Sequence, residues 1–582
     1  MTGAQGAALY FGAEESPLFG WLHASAEPAS AGVVLCGPFG REEISAHRSW
    51  RALAQTLASA GWPTLRFDLA CTGDSAGDML ADDAPAQWLA SVHAAADELR
   101  RLTGVARVVL VGLRTGALLA WQAANQRDDV LALACIAPVV SGRTWLRELK
   151  ALEAASQGEV EASPAGLFES GGFALSDAVR ARLSEIDLRQ SGTPAVPLLL
   201  IDRIEMPALE RWAAELTAAA VPVRHRPLPG FAELMLDPHR ALLPQAMWDE
   251  VLSWLAGLPR VPIAAQRPAV PEMRRQAEWG GVRESAQDFE VAQGRVSAIV
   301  SRPASGVTSG HTLVWLNAGA TRRIGPSRMH VELARHWASQ GHQVVRLDLM
   351  GLGDSDPLPG RPDTVVYSPS AVQEVCEVID KLRSEPGTRQ VHVLGLCAGA
   401  YHGFKAAARG APVDSVVAIN PLTFFWHDGM SLDAPMAAHK VADDMTRYRS
   451  GVFDLARWRK FLSGGVDLRR LVTVVWHAST SAATRPLREV ARLLRLPVRD
   501  DLAAELRCMA SRGVKLNLLV AQGDPGEGLL RSQAGRVVNR LVQERTLSIH
   551  QIDRADHVFT RHLSRRRLYR ELNRLVGAQS PP

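Results

Sequence analysis

One stretch of this chain is written twice. "AGVVLCGPFGREEISAHRSWRALAQTLASAGWPTLRFDLACTGDS" in the first half is matched by "HTLVWLNAGATRRIGPSRMHVELARHWASQGHQVVRLDLMGLGDS" in the second. Both run through an apolar strand, a glycine-bearing loop, an arginine-containing turn, an amphipathic helix, a second strand and "GDS". Each continues into a helix, a third apolar strand ("ARVVLVGL" or "RQVHVLGL") and a tight glycine-framed turn. Strands alternating with helices predict a mainly parallel sheet with helices on both faces, and the repeat predicts two of them in tandem.

A length of 582 residues exceeds what one core fills and agrees with two domains. The proline-rich stretch 258–284 has no clear periodicity and is read as a linker between domains over 1–257 and 285–582. Each half carries an insertion after its fourth parallel strand, about 138–195 in the first and about 421–512 in the second. Each is expected to be a helical cap, the second the larger.

The segment "VLGLCAGAYHGF" bears the chemistry. Gly395-Leu396-Cys397-Ala398-Gly399 has the form of a nucleophile elbow, G-x-S-x-G with cysteine for serine. Small residues two positions either side leave room for a strained strand-to-helix turn. The following helix aims its N-terminal dipole at the thiol and favours the thiolate. The N–H of Ala398 is expected in an oxyanion hole, with a second donor from Ala318 or Gly319 in "LNAGATRR". The base and acid come from later strand ends: His557 in "QIDRADHVF" and Asp524 in "LLVAQGDPGE", with Glu527 as the alternative acid. Asp556 is expected to shape the loop. His402 and His427 are expected to be satisfied structural histidines. "GLGDS" lacks the third glycine of a dinucleotide fingerprint, so Asp348 and Asp354 are assigned to organising a turn at the edge of the site.

The same positions in the first half differ. Its elbow, Gly112-Leu113-Arg114-Thr115-Gly116, holds a guanidinium, and Glu233 stands where His557 does. Asp202 or Glu205 is offered at the acid position. Arginine stays protonated and serves neither as nucleophile nor base. An Arg114–Glu233 ion pair across a vestigial site is therefore expected.

These motifs resemble the α/β-hydrolase superfamily in both halves. "GPFGREEISAHRSW", "DLACTGDSAGD" and "GLRTGALLA" resemble one, and "RRIGPSRMHVELARHWASQGHQVVRLDLMGLGDS" with "GLCAGA" the other, of two hydrolase-like proteins that accompany bacterial exosortase and exopolysaccharide clusters. The chain thus looks like a tandem fusion of the two. The resemblance implies acyl chemistry through a covalent thioester, by hydrolysis or transfer, on an ester or thioester such as an acyl-CoA or acyl carrier protein.

Composition narrows the classes. The net charge of +4 is spread along the chain, against a nucleic-acid binder. The six cysteines show no metal-ligand spacing and no cofactor is implied; five are read as core residues in a reducing, cytoplasmic setting. The N-terminal "MTGAQGAALYFGAEE" has no charged start followed by an apolar run, so no secretory signal is expected, and no span of the membrane either. The basic terminal "TRHLSRRRLYRELNRLV" reads as a packing helix in preference to a membrane-surface one. The alternative to an enzyme is a scaffold recognising an acyl carrier or polysaccharide-biosynthesis partner without turnover. Oligomeric state is not specified.

Overall fold

A computed structural model describes residues 6–155, 163–259, 272–358, 360–427, 429–430 and 500–578. The apolar runs of the first half become β1 (Ala7–Phe11), β2 (Leu18–His23), β3 (Ala31–Cys36), β4 (Thr64–Phe67), β5 (Arg107–Leu113) and β6 (Val130–Ile136). A separate hairpin, β7 (Leu167–Ser170) and β8 (Phe173–Ser176), precedes β9 (Leu198–Arg203) and β10 (Val223–Leu228). The sheet order is β1-β2-β4-β3-β5-β6-β9-β10, antiparallel at the β1 edge and parallel from β4 onward.

The second half repeats this plan. It comprises β11 (Gln276–Trp279), β12 (Val282–Val291), β13 (Gly294–Pro303), β14 (His311–Leu316) and β15 (Gln343–Asp348). It continues with β16 (Gln390–Leu396), β17 (Ser415–Ile419), β18 (Lys515–Ala521) and β19 (Leu547–Ile552). Their order is β11-β12-β13-β15-β14-β16-β17-β18-β19, again parallel from β15 to the far edge.

Alternate residues of the central strands enter different cores. Val34, Leu110 and Leu133 pack on one face and Val33, Val109 and Ala132 on the other. In the second half Val314 and Val393 oppose Leu313 and Leu394 in the same way. Such double-sided burial explains why these strands read as continuous apolar runs.

Three expectations change. The linker ends earlier than 284, because Gln276–Trp279 and Val282–Val291 pair antiparallel, the latter burying alternate residues. The first insertion is not wholly helical: after the helix Gly142–Ala155, Gly171 (φ 55°) and Gly172 (φ 89°) turn the β7–β8 hairpin. Of the cap at 421–512, most lies outside the described residues; the helix Leu502–Ser511 is described and packs Leu502, Leu506 and Met509 into the core.

The halves join through their repeated "GDS" loops. Arg66 of β4 reaches Asp354 at 2.6 Å, and the equivalent Arg346 of β15 binds Asp74. Arg51 donates to the carbonyls of Gly353 (2.7 Å) and Ser355 (3.0 Å), while Arg328 donates to those of Gly73 (2.9 Å) and Ser75 (2.6 Å). At the centre Arg323, with a fully buried side chain, lies within 2.9 Å of Asp74, Asp348 and Asp354. Asp348 does organise its turn, accepting from the Arg323 N–H and Asn317. Asp354 instead serves the junction. Burial alone would push its carboxyl up, but Arg66, His47 and Arg323 outweigh burial and hold it well below the carboxylate range.

The C-terminal helix His562–Val576 buries Leu568 and Leu572 against the second sheet, and Trp337 donates to its Asn573 at 2.7 Å. Among the described residues no helix is long and apolar enough to cross a membrane. Cys36, Cys71 and Cys135 are core residues, whereas Cys508 is exposed, contrary to expectation, its Sγ 4.0 Å from the Ala408 carbonyl of the adjacent helix.

Candidate active site

Cys397 sits between β16 and the helix Ala398–Arg409 with φ 58° and ψ −113°, a conformation that L residues rarely adopt. The flanking glycines are required by contact. A Cβ on Gly395 would lie 2.1 Å from the Gly399 carbonyl carbon, and one on Gly399 would lie 2.8 Å from the Asn317 carbonyl oxygen. The turn is pinned where the Cys397 N–H donates to Ile419 at 2.9 Å. Cys397 is partly accessible and stands at the positive end of the helix.

The histidine and acid meet as the strand order requires. Asp524 follows β18, His557 follows the adjacent β19, and the His557 Nδ1–H lies 2.7 Å from Asp524 Oδ2. The Asp524 side chain is only 2% exposed and that of His557 23%. His557 Nε2 is buried without a hydrogen bond, and Cys397 is close enough to act on the ring's charge. Burial favours the neutral ring, but the bond to Asp524 and the neighbouring Cys397 outweigh it and raise the pKa to about 10. Glu527 pairs instead with Arg531 at 2.7 Å, while Asp524 occupies the His557 Nδ1 side of the ring.

Several residues that position this group escaped the sequence reading. Asn420, fully buried at the end of β17 with φ 46°, donates to the His557 carbonyl (2.7 Å) and accepts from the Ala521 N–H (2.7 Å). It ties the histidine loop to the acid strand. The signal was an asparagine directly after an apolar strand, where the first half has Ala137. Asp556 holds the loop as expected, accepting from the Thr560 N–H at 2.7 Å, and Phe559 anchors it in the core.

The loop bearing Ala318 and Gly319 follows β14, which pairs with β16 in register Leu316↔Gly395. Asn317 fixes it by donating to the Thr321 carbonyl at 3.0 Å, and Gly319 takes φ 59° with open space where a Cβ would be. Beside the elbow, Ala398 packs with Val366, Tyr367, Ala320, Tyr401 and Trp426. Tyr367 stacks on Trp426 at 4.1 Å, and burial followed by the nearby Cys397 raises its phenol pKa. His427 pairs with Asp500 at 2.8 Å. His402 is buried but not satisfied: neither ring nitrogen has a hydrogen bond, and burial pushes its pKa down to about 4. Among the described residues no group of three or more His, Cys, Asp or Glu is arranged to hold a metal ion.

The first half keeps the elbow with arginine at its apex. Arg114 has φ 54° and ψ −117°, nearly the values of Cys397. The expected Arg114–Glu233 pair is absent. Register counting does put Glu233 at the His557 position, yet that side chain points to solvent, and Arg114 binds Glu42 at 2.8 Å and Glu148 of the insertion helix. The acid position also differs from expectation. Ile201 and Leu519 are equivalent, each accepting from the residue after the preceding strand, Ala137 or Asn420. Five residues on from Leu519 stands Asp524; five on from Ile201 stands Met206, 64% exposed. Asp202 instead accepts from the N–H groups of Ala208 and Leu209, and Glu205 is exposed.

The alpha/beta hydrolase fold family model matches residues 323–475. No curated protein matches the chain. Among solved structures, Est1E from Butyrivibrio proteoclasticus is 20% identical, covering 43% of this chain and 99% of its own, with a TM-score of 0.33. The Pyrococcus furiosus esterase Pf2001 is 14% identical over 44% of this chain and 93% of its own, at 0.32. Hypothetical protein PA2218 from Pseudomonas aeruginosa is 18% identical over 44% and 95%, also at 0.32. With the sheet order and elbow, the family match defines an alpha/beta hydrolase fold.

Proposed function

We propose that the chain is an acyl hydrolase or acyltransferase acting on an ester or thioester through an acyl-Cys397 intermediate, with a catalytically inactive first half. The observation that carries this reading is the His557–Asp524 pair at 2.7 Å beside a cysteine held in the elbow conformation. The Cys397 thiol passes its proton to His557 Nε2, the resulting thiolate attacks the acyl carbon, and the imidazolium so formed protonates the departing alkoxide or thiolate as its bond to the acyl carbon breaks. Water or another acceptor then gives its proton to His557 Nε2 and displaces Sγ. Asp524 holds Nδ1 protonated and so leaves Nε2 to face the thiol. The N–H of Ala398, with that of Ala318 or Gly319, receives the oxyanion.

Kinship with the exosortase-associated pair belongs to this proposal and rests on the repeated motifs alone. The plugged elbow at Arg114 favours a binding or supporting role for the first half. Turnover of p-nitrophenyl esters and acyl-CoA thioesters of graded chain length tests the reading. Wild type should turn over at least one series, and Cys397→Ala should not. Equal rates from both proteins would remove Cys397 from the reaction.

A further inference from the structure

The loop carrying His557 is held at its far end by the first half. The His562 N–H donates to Glu169 Oε1 at 2.6 Å, and the Arg561 guanidinium pairs with Glu153 and lies 4.0 Å from Glu169 Oε2. The Glu169 side chain is 2% exposed, on strand β7 of the insertion hairpin. The hairpin fits closely there: a Cβ on Gly172 would meet Ser327 Oγ at 2.1 Å and the Thr560 carbonyl at 3.7 Å. Ser170 ties the hairpin to the insertion helix by donating to Leu149 at 3.2 Å.

That helix, Gly142–Ala155, has a second anchor. Glu148, about one and a half turns before Glu153, binds Arg114 at the degenerate elbow. One helix therefore touches Arg114 at one point and the end of the catalytic histidine loop at another. Arginine at the old nucleophile position and an insertion that leans on the other half become parts of one device.

We propose that the first half is a built-in positioning subunit: Arg114 fixes the insertion helix, and Glu153 with Glu169 sets the loop that presents His557 to Cys397. This rests on the proposed Cys397 chemistry. Glu153 and Glu169 are positioning residues acting through Arg561 and the His562 N–H. Phe559 and Asn420 hold the near end of the loop, so loss of the far end should misplace the imidazole without unfolding the half.

The test uses the full chain with Glu153→Ala, Glu153→Gln, Glu169→Ala and Glu169→Gln. Two readouts are taken: kcat and KM on the best ester, and the rate at which iodoacetamide alkylates Cys397 at pH 7. Displacing a reacting group by about an ångström costs up to about 100-fold. Glu169→Ala should lower kcat and alkylation roughly 10-fold or more with KM within about 2-fold. Glu169→Gln, which still accepts from the His562 N–H, should recover most of the rate, and Glu153→Gln, which still accepts from Arg561, should recover most of what Glu153→Ala loses. Arg114→Met should reproduce the Glu153→Ala loss, and the two together should not add. Unchanged kcat and alkylation in folded Glu153→Ala and Glu169→Ala proteins would overturn the proposal. So would a Glu153→Ala loss that Glu153→Gln fails to recover, which decides the matter if Glu169→Ala does not fold. A wild type inert to every ester would defeat the proposed reaction only, since alkylation still reports where His557 stands.

Discussion

Asp74→Asn is the most demanding perturbation of the junction between the halves. The Asp74 carboxylate is fully buried, bound to Arg346 and 2.9 Å from Arg323, with Arg322 at 3.7 Å. The substitution keeps the shape and removes the charge. Removing one partner of a buried ion pair typically costs about 3–5 kcal/mol, because the charge left behind has been taken out of water. Here Arg346 keeps Glu284 at 3.0 Å, and Arg323 keeps Asp348 and Asp354. The expected loss is therefore at the lower end, about 3 kcal/mol. Urea unfolding followed by tryptophan fluorescence and circular dichroism measures it, with Glu215→Gln as control. Glu215 pairs with Arg211 in solvent and should change stability by less than about 0.5 kcal/mol. Asp354→Asn should behave like Asp74→Asn, and the double variant should be non-additive because both carboxylates face Arg323. Burial favours the neutral Asp74 carboxyl, but the arginines outweigh it and depress its pKa. Its contribution is thus present above the unfolded-state value of about 4 and lost as pH falls through the depressed folded value. A loss under about 1 kcal/mol for Asp74→Asn would refute the view that these charges hold the halves together.

Other outcomes follow from the site. Asp524→Asn should lower kcat about 10³-fold or more, read on any ester the wild type accepts, because the imidazole loses its fixed tautomer. The raised His557 pKa lends stability that is complete below about pH 6.5 and disappears as pH climbs through about 10. Thermal unfolding between pH 6 and 10.5 should therefore fall more steeply for wild type than for Asp524→Asn. Asn420→Ala removes the two side-chain hydrogen bonds by which Asn420 ties the histidine loop to the acid strand and should cost about 1–3 kcal/mol along with a drop in kcat at near-constant KM. Arg114→Cys should stay inactive in a Cys397→Ala background, since Met206 and an exposed Glu233 stand where the acid and base would be.

The parts of the site that follow strict local geometry were readable from sequence. Gly395 and Gly399 mark a turn that only glycine fits, and Asp524 and His557 close successive parallel strands in the order the fold imposes. What depended on contacts distant in sequence was not readable. Arg114 bonds to Glu42 and Glu148, and no spacing rule selects these over Glu233. Met206 holds the acid position by register though Asp202 and Glu205 lie nearer the strand end; the proline that follows both Met206 and Asp524 was the available signal. The junction left a trace too. Arg66 and Arg346 recur at one position inside apolar strands, and a repeated arginine in such a place needs a buried acid, here the Asp of the opposite "GDS".

Acylation of Cys397 is the point on which the account turns. Wild type, Cys397→Ala and His557→Ala, each incubated with acyl-CoA thioesters and p-nitrophenyl esters and quenched in acid, are read by intact and peptide mass spectrometry. One acyl group is expected on the peptide containing Cys397 in wild type, with slower accumulation in His557→Ala and none in Cys397→Ala. An acyl group on another residue of folded wild type, or equal labelling of Cys397→Ala, would contradict it.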